Sequence, residues 1–163
     1  MGCDIYSLVE VKDPSTGKWN KVGDIFLEVD STDKYTDDPF CWRSYGLYGF
    51  LANVRNYSEC EPISEPKGVP ENLSTEGQSL FQEGIDDHSH SWLTLQELLN
   101  FNYEKEFTDK RRKSQGGPYN GTNDDECQVS YREFLGRFYF ERLEILKALG
   151  KPEDVRLVFW FNG

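Results

Sequence analysis

The chain's two histidines, His88 and His90, sit in one short run, Asp86-Asp87-His88-Ser89-His90-Ser91-Trp92, directly ahead of a helix start. Imidazoles two residues apart on an extended segment face the same way, and adjacent carboxylates add anionic donors, so the run has the composition of a transition-metal site. Asp87, and Asp4 from the start of the first strand, would complete it. An ion held by Asp4, Asp87, His88 and His90 would activate water and make the chain a metal-dependent phosphoester hydrolase. The same run also reads without a metal: the aspartates and serines orient the chain entering the helix, while the histidines hydrogen-bond or stack on Trp92. No second ligand cluster stands out elsewhere, which favours this metal-free reading. No cofactor is implied.

A second constellation carries different chemistry. Cys41-Trp42-Arg43-Ser44-Tyr45, Asn53-Val54-Arg55-Asn56 and Ile63-Ser64-Glu65-Pro66-Lys67-Gly68-Val69-Pro70 concentrate Arg43, Arg55 and Lys67 among aromatic and turn residues. Guanidinium forks suit phosphate or carboxylate, and the rings of Trp42, Tyr45 and Tyr48 suit a planar ligand. Surface ion pairing and aromatic core packing would use the same residues. Neither glycine-loop phosphate cradle occurs in the sequence, and no Ser or Cys occupies a nucleophile elbow.

These residues must be positioned by a chain of 163 residues, long enough for one domain that buries roughly 70% of the surface its unfolded form exposes. Aromatic residues make up 15% of it, against one Met, so rings supply much of the core. A net charge of -11 repels a phosphate backbone and argues against binding to nucleic acid or an anionic membrane. Cys3, Cys41, Cys60 and Cys127 contain no C-x-x-C pair and read as reduced thiols in a cytoplasm. Met1-Gly2-Cys3 has the start of an acylation motif but Tyr6 where that motif needs Ser or Thr, and no apolar run is long enough to span a membrane.

Residues 3–11 and 19–29 have strand composition around the turn Asp13-Pro14-Ser15-Thr16-Gly17-Lys18, which predicts a β-hairpin. Residues 155–161 form a strand apolar on both faces, expected at the sheet centre beside the first strand. Thr94-Leu95-Gln96-Glu97 and Ser130-Tyr131-Arg132-Glu133 are capping boxes, and the second predicts a helix running to Leu149 before Gly150. Its stripe of Phe134, Leu135, Phe138, Ile145, Leu146 and Leu149 is broken by Arg142, which is expected to snorkel at the rim. A shorter helix is predicted over 45–54, where Gly46 and Gly49 imply close packing or motion. Three stretches, 30–41, 56–87 and 102–128, read as long loops, the last a polar and mobile excursion.

The expected fold is a single α+β domain over 1–163. A mostly antiparallel sheet of the N-terminal hairpin and C-terminal strand packs against the helices, and the loops shape a pocket.

Met1-Gly2-Cys3-Asp4-Ile5, Arg43-Ser44-Tyr45, Leu51-Ala52-Asn53-Val54-Arg55-Asn56, Ile63-Ser64-Glu65-Pro66-Lys67-Gly68-Val69-Pro70, His88-Ser89-His90-Ser91-Trp92-Leu93-Thr94 and residues 155–161, in that order, resemble a family of small, uncharacterised bacteriophage proteins. The resemblance implies a virus-encoded protein working in a bacterial cytoplasm and brings no established reaction with it. The family usually has histidine where this chain has Tyr6, which removes one potential metal ligand.

The leading expectation is therefore an anti-defence accessory protein that sequesters a small anionic, nucleotide-derived ligand. Arg43, Arg55 and Lys67 would neutralise charge, Tyr45 and Trp92 would stack, and His88 and His90 would donate hydrogen bonds. A third expectation is an acidic inhibitor that covers a basic face of a host protein with Asp37, Asp38, Asp124, Asp125 and Glu126.

Overall fold

The computed structural model describes residues 2–81, 84–118 and 127–163 and has the α+β architecture expected from the sequence. Contacts divide the chain into two compact units, one formed by Met1–Arg43, Pro66–Asn100 and Phe138–Gly163, the other by Ser44–Glu65 and Phe101–Arg137.

The first unit is built on a four-stranded sheet in the order β2-β1-β8-β5, from β1 (Asp4–Lys12), β2 (Trp19–Lys21), β5 (Asp87–Thr94) and β8 (Val155–Asn162). All its pairings are antiparallel. The hairpin forms as its turn predicts, although its second strand pairs over Trp19–Lys21 and not over all of 19–29: Asp13 accepts from Ser15, and the Gly17 N–H closes back on the Asp13 carbonyl at 2.8 Å. β8 is central, and its residues Val155 to Phe161 are all buried.

Period-2 alternation divides the sheet into two faces. Ile5, Ser7 and Val9 share one face with Leu157, Phe159, Phe161 and Leu93. That face is dry: Val9, Leu157, Phe159, Phe161 and Leu93 are all fully buried. Polar contacts interrupt it at two serines: the Ser7 hydroxyl donates to the Asp38 carboxylate, and Ser91, opposite Phe159, accepts from the Lys67 N–H at 3.0 Å. The opposite face has three rungs read across β1, β8 and β5. They are Tyr6, Trp160 and His90; Leu8, Val158 and Trp92; and Glu10, Arg156 and Thr94. Residues 66–81, expected to be loop, cover it. Leu73 and Phe81 pack on Leu8, Val158 and Trp160, and α2 (Thr75–Leu80) lies within this stretch.

The Thr94 capping box forms: the Glu97 N–H donates to the Thr94 hydroxyl at 3.2 Å and the Thr94 N–H to Glu97 at 3.1 Å. Thr94 is also the last residue of β5, so strand passes directly into α3 (Leu95–Asn100). Ser130 likewise accepts from the Glu133 N–H ahead of α4 (Tyr131–Lys147).

α4 departs from the uninterrupted helix expected, because Gly136 leaves helical geometry at φ 78 and ψ 173. The break resets the apolar phase, so the buried positions beyond it are Tyr139, Arg142, Leu143 and Leu146. Arg142 therefore does not snorkel. It is 4% exposed and donates to the carbonyls of Pro39 at 2.8 Å and Leu27 at 2.5 Å. Within the same unit, β3 (Phe26–Leu27) pairs with β4 (Tyr35–Thr36).

The second unit holds α1 (Tyr45–Ala52), capped by Ser44 and ended by Asn53 in the left-handed region. Of the two alternatives posed by its glycines, close packing is what occurs. A Cβ on Gly49 would lie 2.6 Å from Asn56 Oδ1, and one on Gly46 2.9 Å from Phe134. Rings of Phe50, Phe101, Tyr103, Phe107, Tyr131 and Phe134 form its core. Burial pushes the Tyr131 phenol up to about 12, while its hydroxyl and the Glu61 backbone hold each other in hydrogen bonds. β6 (Glu106–Asp109) and β7 (Cys127–Ser130) pair at the two ends of the stretch expected to be an excursion. Residues 119–126 lie outside the described set.

Candidate functional site

A groove of about 620 Å³ opens in the first unit where the Glu10–Arg156 rung meets the hairpin turn. Its floor is the sheet, with Lys12 and Trp19 from the hairpin, Arg156 from β8 and Trp92 and Thr94 from β5. One wall is the chain from Lys67 to Asn72. Lys12 and Trp19 are direct cross-strand partners, so both project to the groove side.

Arg156 organises the floor. It is 3% exposed and lies against Glu10, itself 0% exposed, with its Nε donating to Glu10 Oε1 at 2.8 Å. Burial presses the guanidinium below its ordinary value, and the Glu10 carboxylate opposes that shift. Other donors of Arg156 reach Asn72 Oδ1 at 2.8 Å and the Asn72 carbonyl at 3.2 Å, while Glu10 accepts from the Ser74 N–H at 2.8 Å. The buried pair thus ties the covering chain to the sheet. The guanidinium also lies 4.0 Å from the centre of the Trp19 ring and 5.9 Å from that of Trp92.

Lys67 anchors the other end of the wall. Its N–H donates to Ser91 Oγ at 3.0 Å, and the next N–H, Gly68, to the His90 carbonyl at 2.8 Å. Its ammonium stands 4.0 Å over Trp92 and reaches both oxygens of Glu97, at 2.8 and 2.7 Å. Burial raises the Glu97 carboxyl, but Lys67 and Thr94 outweigh it and leave the group below its ordinary value. Glu97 serves both the helix cap and the groove wall.

Of the residues singled out by sequence, Lys67 and Trp92 line this groove together. Arg43, in the same unit, donates to Asp4 through Nε at 2.9 Å and Nη2 at 2.7 Å, with both side chains half-exposed. Tyr45 and Arg55 belong to the second unit. There Tyr45 packs on Tyr48 and Tyr57, and Arg55 Nη1 donates to the Tyr57 hydroxyl at 3.3 Å.

The histidines separate. The β5–β8 register shifts between His88 and Ser91, with Ser89 at φ 56, so Ser89 and His90 together oppose Trp160. His88 consequently stacks on Phe161 and His90 on Trp160, neighbours on β8 whose side chains leave opposite faces of the sheet. Phe81 meets His90 edge-on at 4.8 Å. Tyr6 stacks on Trp160 at 5.9 Å, so the indole lies between position 6 and His90.

The carboxylates of the metal alternative are likewise engaged, Asp4 with Arg43 and Asp87 with Asn162 at 2.8 Å and the Gly84 N–H at 2.9 Å. The Asn162 bond leads in holding Asp87 below the ordinary carboxylate range. Among the described residues no group of three or more His, Cys, Asp or Glu converges to hold a metal ion. Of the acidic face, Asp37 pairs with Lys21 at 2.5 Å and Asp38 is turned inward, while Asp124, Asp125 and Glu126 lie outside the described residues.

Sequence reading missed Lys12, Trp19, Asn72 and Arg156. A usable signal was the hairpin turn, whose register sets Lys12 beside Trp19, together with the single cation in the apolar run of β8. Searches against protein-family models, curated proteins and solved structures find no match to this chain.

Proposed function

We propose that this chain is a bacteriophage accessory protein that sequesters a small anionic, nucleotide-derived ligand in the Lys12–Trp19–Trp92–Arg156 groove and does not turn it over. The observation that carries this reading is the meeting of two indoles with Lys12, Lys67 and Arg156 in one concavity of a protein whose net charge is -11. A volume of about 620 Å³ is in the range of small-molecule sites. Indole faces and ammonium donors are the groups that hold rings and phosphates.

Binding without turnover is favoured by what the lining lacks. Neither histidine lines the groove, and the Thr94 hydroxyl is engaged by Glu97. The phage origin and the bacterial cytoplasm rest on the sequence resemblance, and the anti-defence role is an inference from them. No helix among the described residues is long and apolar enough to cross a membrane.

The test is to incubate the protein with extract of infected cells, wash it, denature it by heat and identify what is released by mass spectrometry. An unchanged nucleotide-derived compound is the expected result. A converted product would overturn sequestration in favour of catalysis, and release of nothing would point to a protein partner.

A further inference from the structure

The groove's charges do not all remain available to a ligand. Arg156 is neutralised by the buried Glu10 and has most of its donors on Glu10 and Asn72, and Lys67 is held by Glu97. Lys12 is different: partly buried at the end of β1, it makes no ion pair or side-chain hydrogen bond among the described residues. The one acid in the lining, Glu71, is exposed at the rim. A ligand therefore meets one uncompensated cation, one rim carboxylate and the field of a strongly acidic protein.

The ring platform is equally restricted. Arg156 and Lys67 both approach Trp92, at 5.9 and 4.0 Å, whereas on Trp19 the only cation contact among the described residues is Arg156 at 4.0 Å. Directly opposite cross-strand residues have Cβ atoms about 5 Å apart, so a ring on Trp19 holds a substituent within reach of Lys12.

We infer that the cross-strand pair Lys12 and Trp19 selects a planar ring carrying a single phosphate or carboxylate, and that polyphosphates are rejected. This deepens the proposed function and rests on it. Each further phosphate adds negative charge with no further unengaged cation in the groove lining to meet it, and each also meets repulsion from Glu71.

The test is titration of the full-length protein with adenosine and guanosine monophosphates and triphosphates, followed by tryptophan fluorescence and calorimetry at fixed low ionic strength. Monophosphates should bind at least about fivefold tighter than the matching triphosphates. Lys12→Gln, with its fold verified by circular dichroism, should weaken monophosphate binding about tenfold. Glu71→Gln, on the rim and away from the core, should strengthen triphosphate binding by about threefold and narrow the gap. Triphosphates binding as tightly as monophosphates, or a Lys12→Gln protein that binds like the parent, would overturn the inference while leaving the nucleotide reading standing. Failure of every nucleotide to bind would overturn that reading as well.

Discussion

The two faces of the four-stranded sheet are made by alternate residues of the same strands, yet they have different chemistry. One buries Ile5, Val9, Leu157, Phe159, Phe161 and Leu93, with isolated polar contacts at Ser7 and Ser91. The other changes along its length from Tyr6, Trp160 and His90, through Leu8, Val158 and Trp92, to the ion pair Glu10–Arg156 and the groove. The dry face gains its stability from area removed from water, which needs no particular partner. The polar face is stable only as a satisfied network, because a charge buried without its partner is costly. A function that needs cations and rings in fixed positions can be built on the second kind of face, where the network that buries the charges also fixes their geometry.

The largest effects should separate the faces by whether a second change repairs the first. Phe159→Ala should cost about 3–5 kcal/mol through the cavity it leaves. Arg156→Ala should cost about as much, roughly 3–5 kcal/mol, because Glu10 is then buried alone. Urea denaturation should show Arg156→Met combined with Glu10→Leu recovering much of that loss. A double variant no more stable than Arg156→Ala would remove the distinction.

Asp38 sharpens the comparison from the dry side. Burial raises its carboxyl to about 6 against the opposing hydrogen bonds from Ser7 and Phe40, and the ordinary value is 3.8. The folded chain therefore holds the extra proton between those values, and its stability from this group falls as pH rises through that window, by up to about 3 kcal/mol. Thermal unfolding from pH 4 to 7 should lose this component in Asp38→Asn.

A smaller effect is expected at the bulge that divides the histidines between the faces. Ser89 at φ 56 is in a region that glycine enters without strain, so Ser89→Gly should be stabilising or neutral and Ser89→Val destabilising by about 1–2 kcal/mol. The smallest change in stability belongs to Lys12→Gln, within about 0.5 kcal/mol by denaturation, although it should have the largest effect on binding.

Much of the framework was legible because its signals are local. The turn at Asp13 to Lys18 specified the hairpin, apolar residues on both faces of β8, interrupted by Arg156, specified a central strand, and the boxes at Thr94 and Ser130 specified two helix starts. Local signals also identified Lys67 and Trp92 as candidate ligand contacts, but not what would stand beside them. β5 was hidden because its Asp-His-Ser-His start reads as polar loop, and α2 because its six residues are too few to show a period. The stripe on α4 was misread because Gly136 changes its phase.

By itself, then, the sequence determined the composition of the strands, the capped helix starts and the acidic, ring-rich character of the chain, since each depends on residues within a few positions of one another. Tertiary structure alone decided that Glu10 meets Arg156, 146 positions away, that Lys12 and Trp19 share a groove with Lys67 and Trp92, and that His88 and His90 leave opposite faces. Those outcomes depend on strand register, and one extra residue in a strand reverses the face of everything beyond it, a difference that periodicity read from a single strand does not contain.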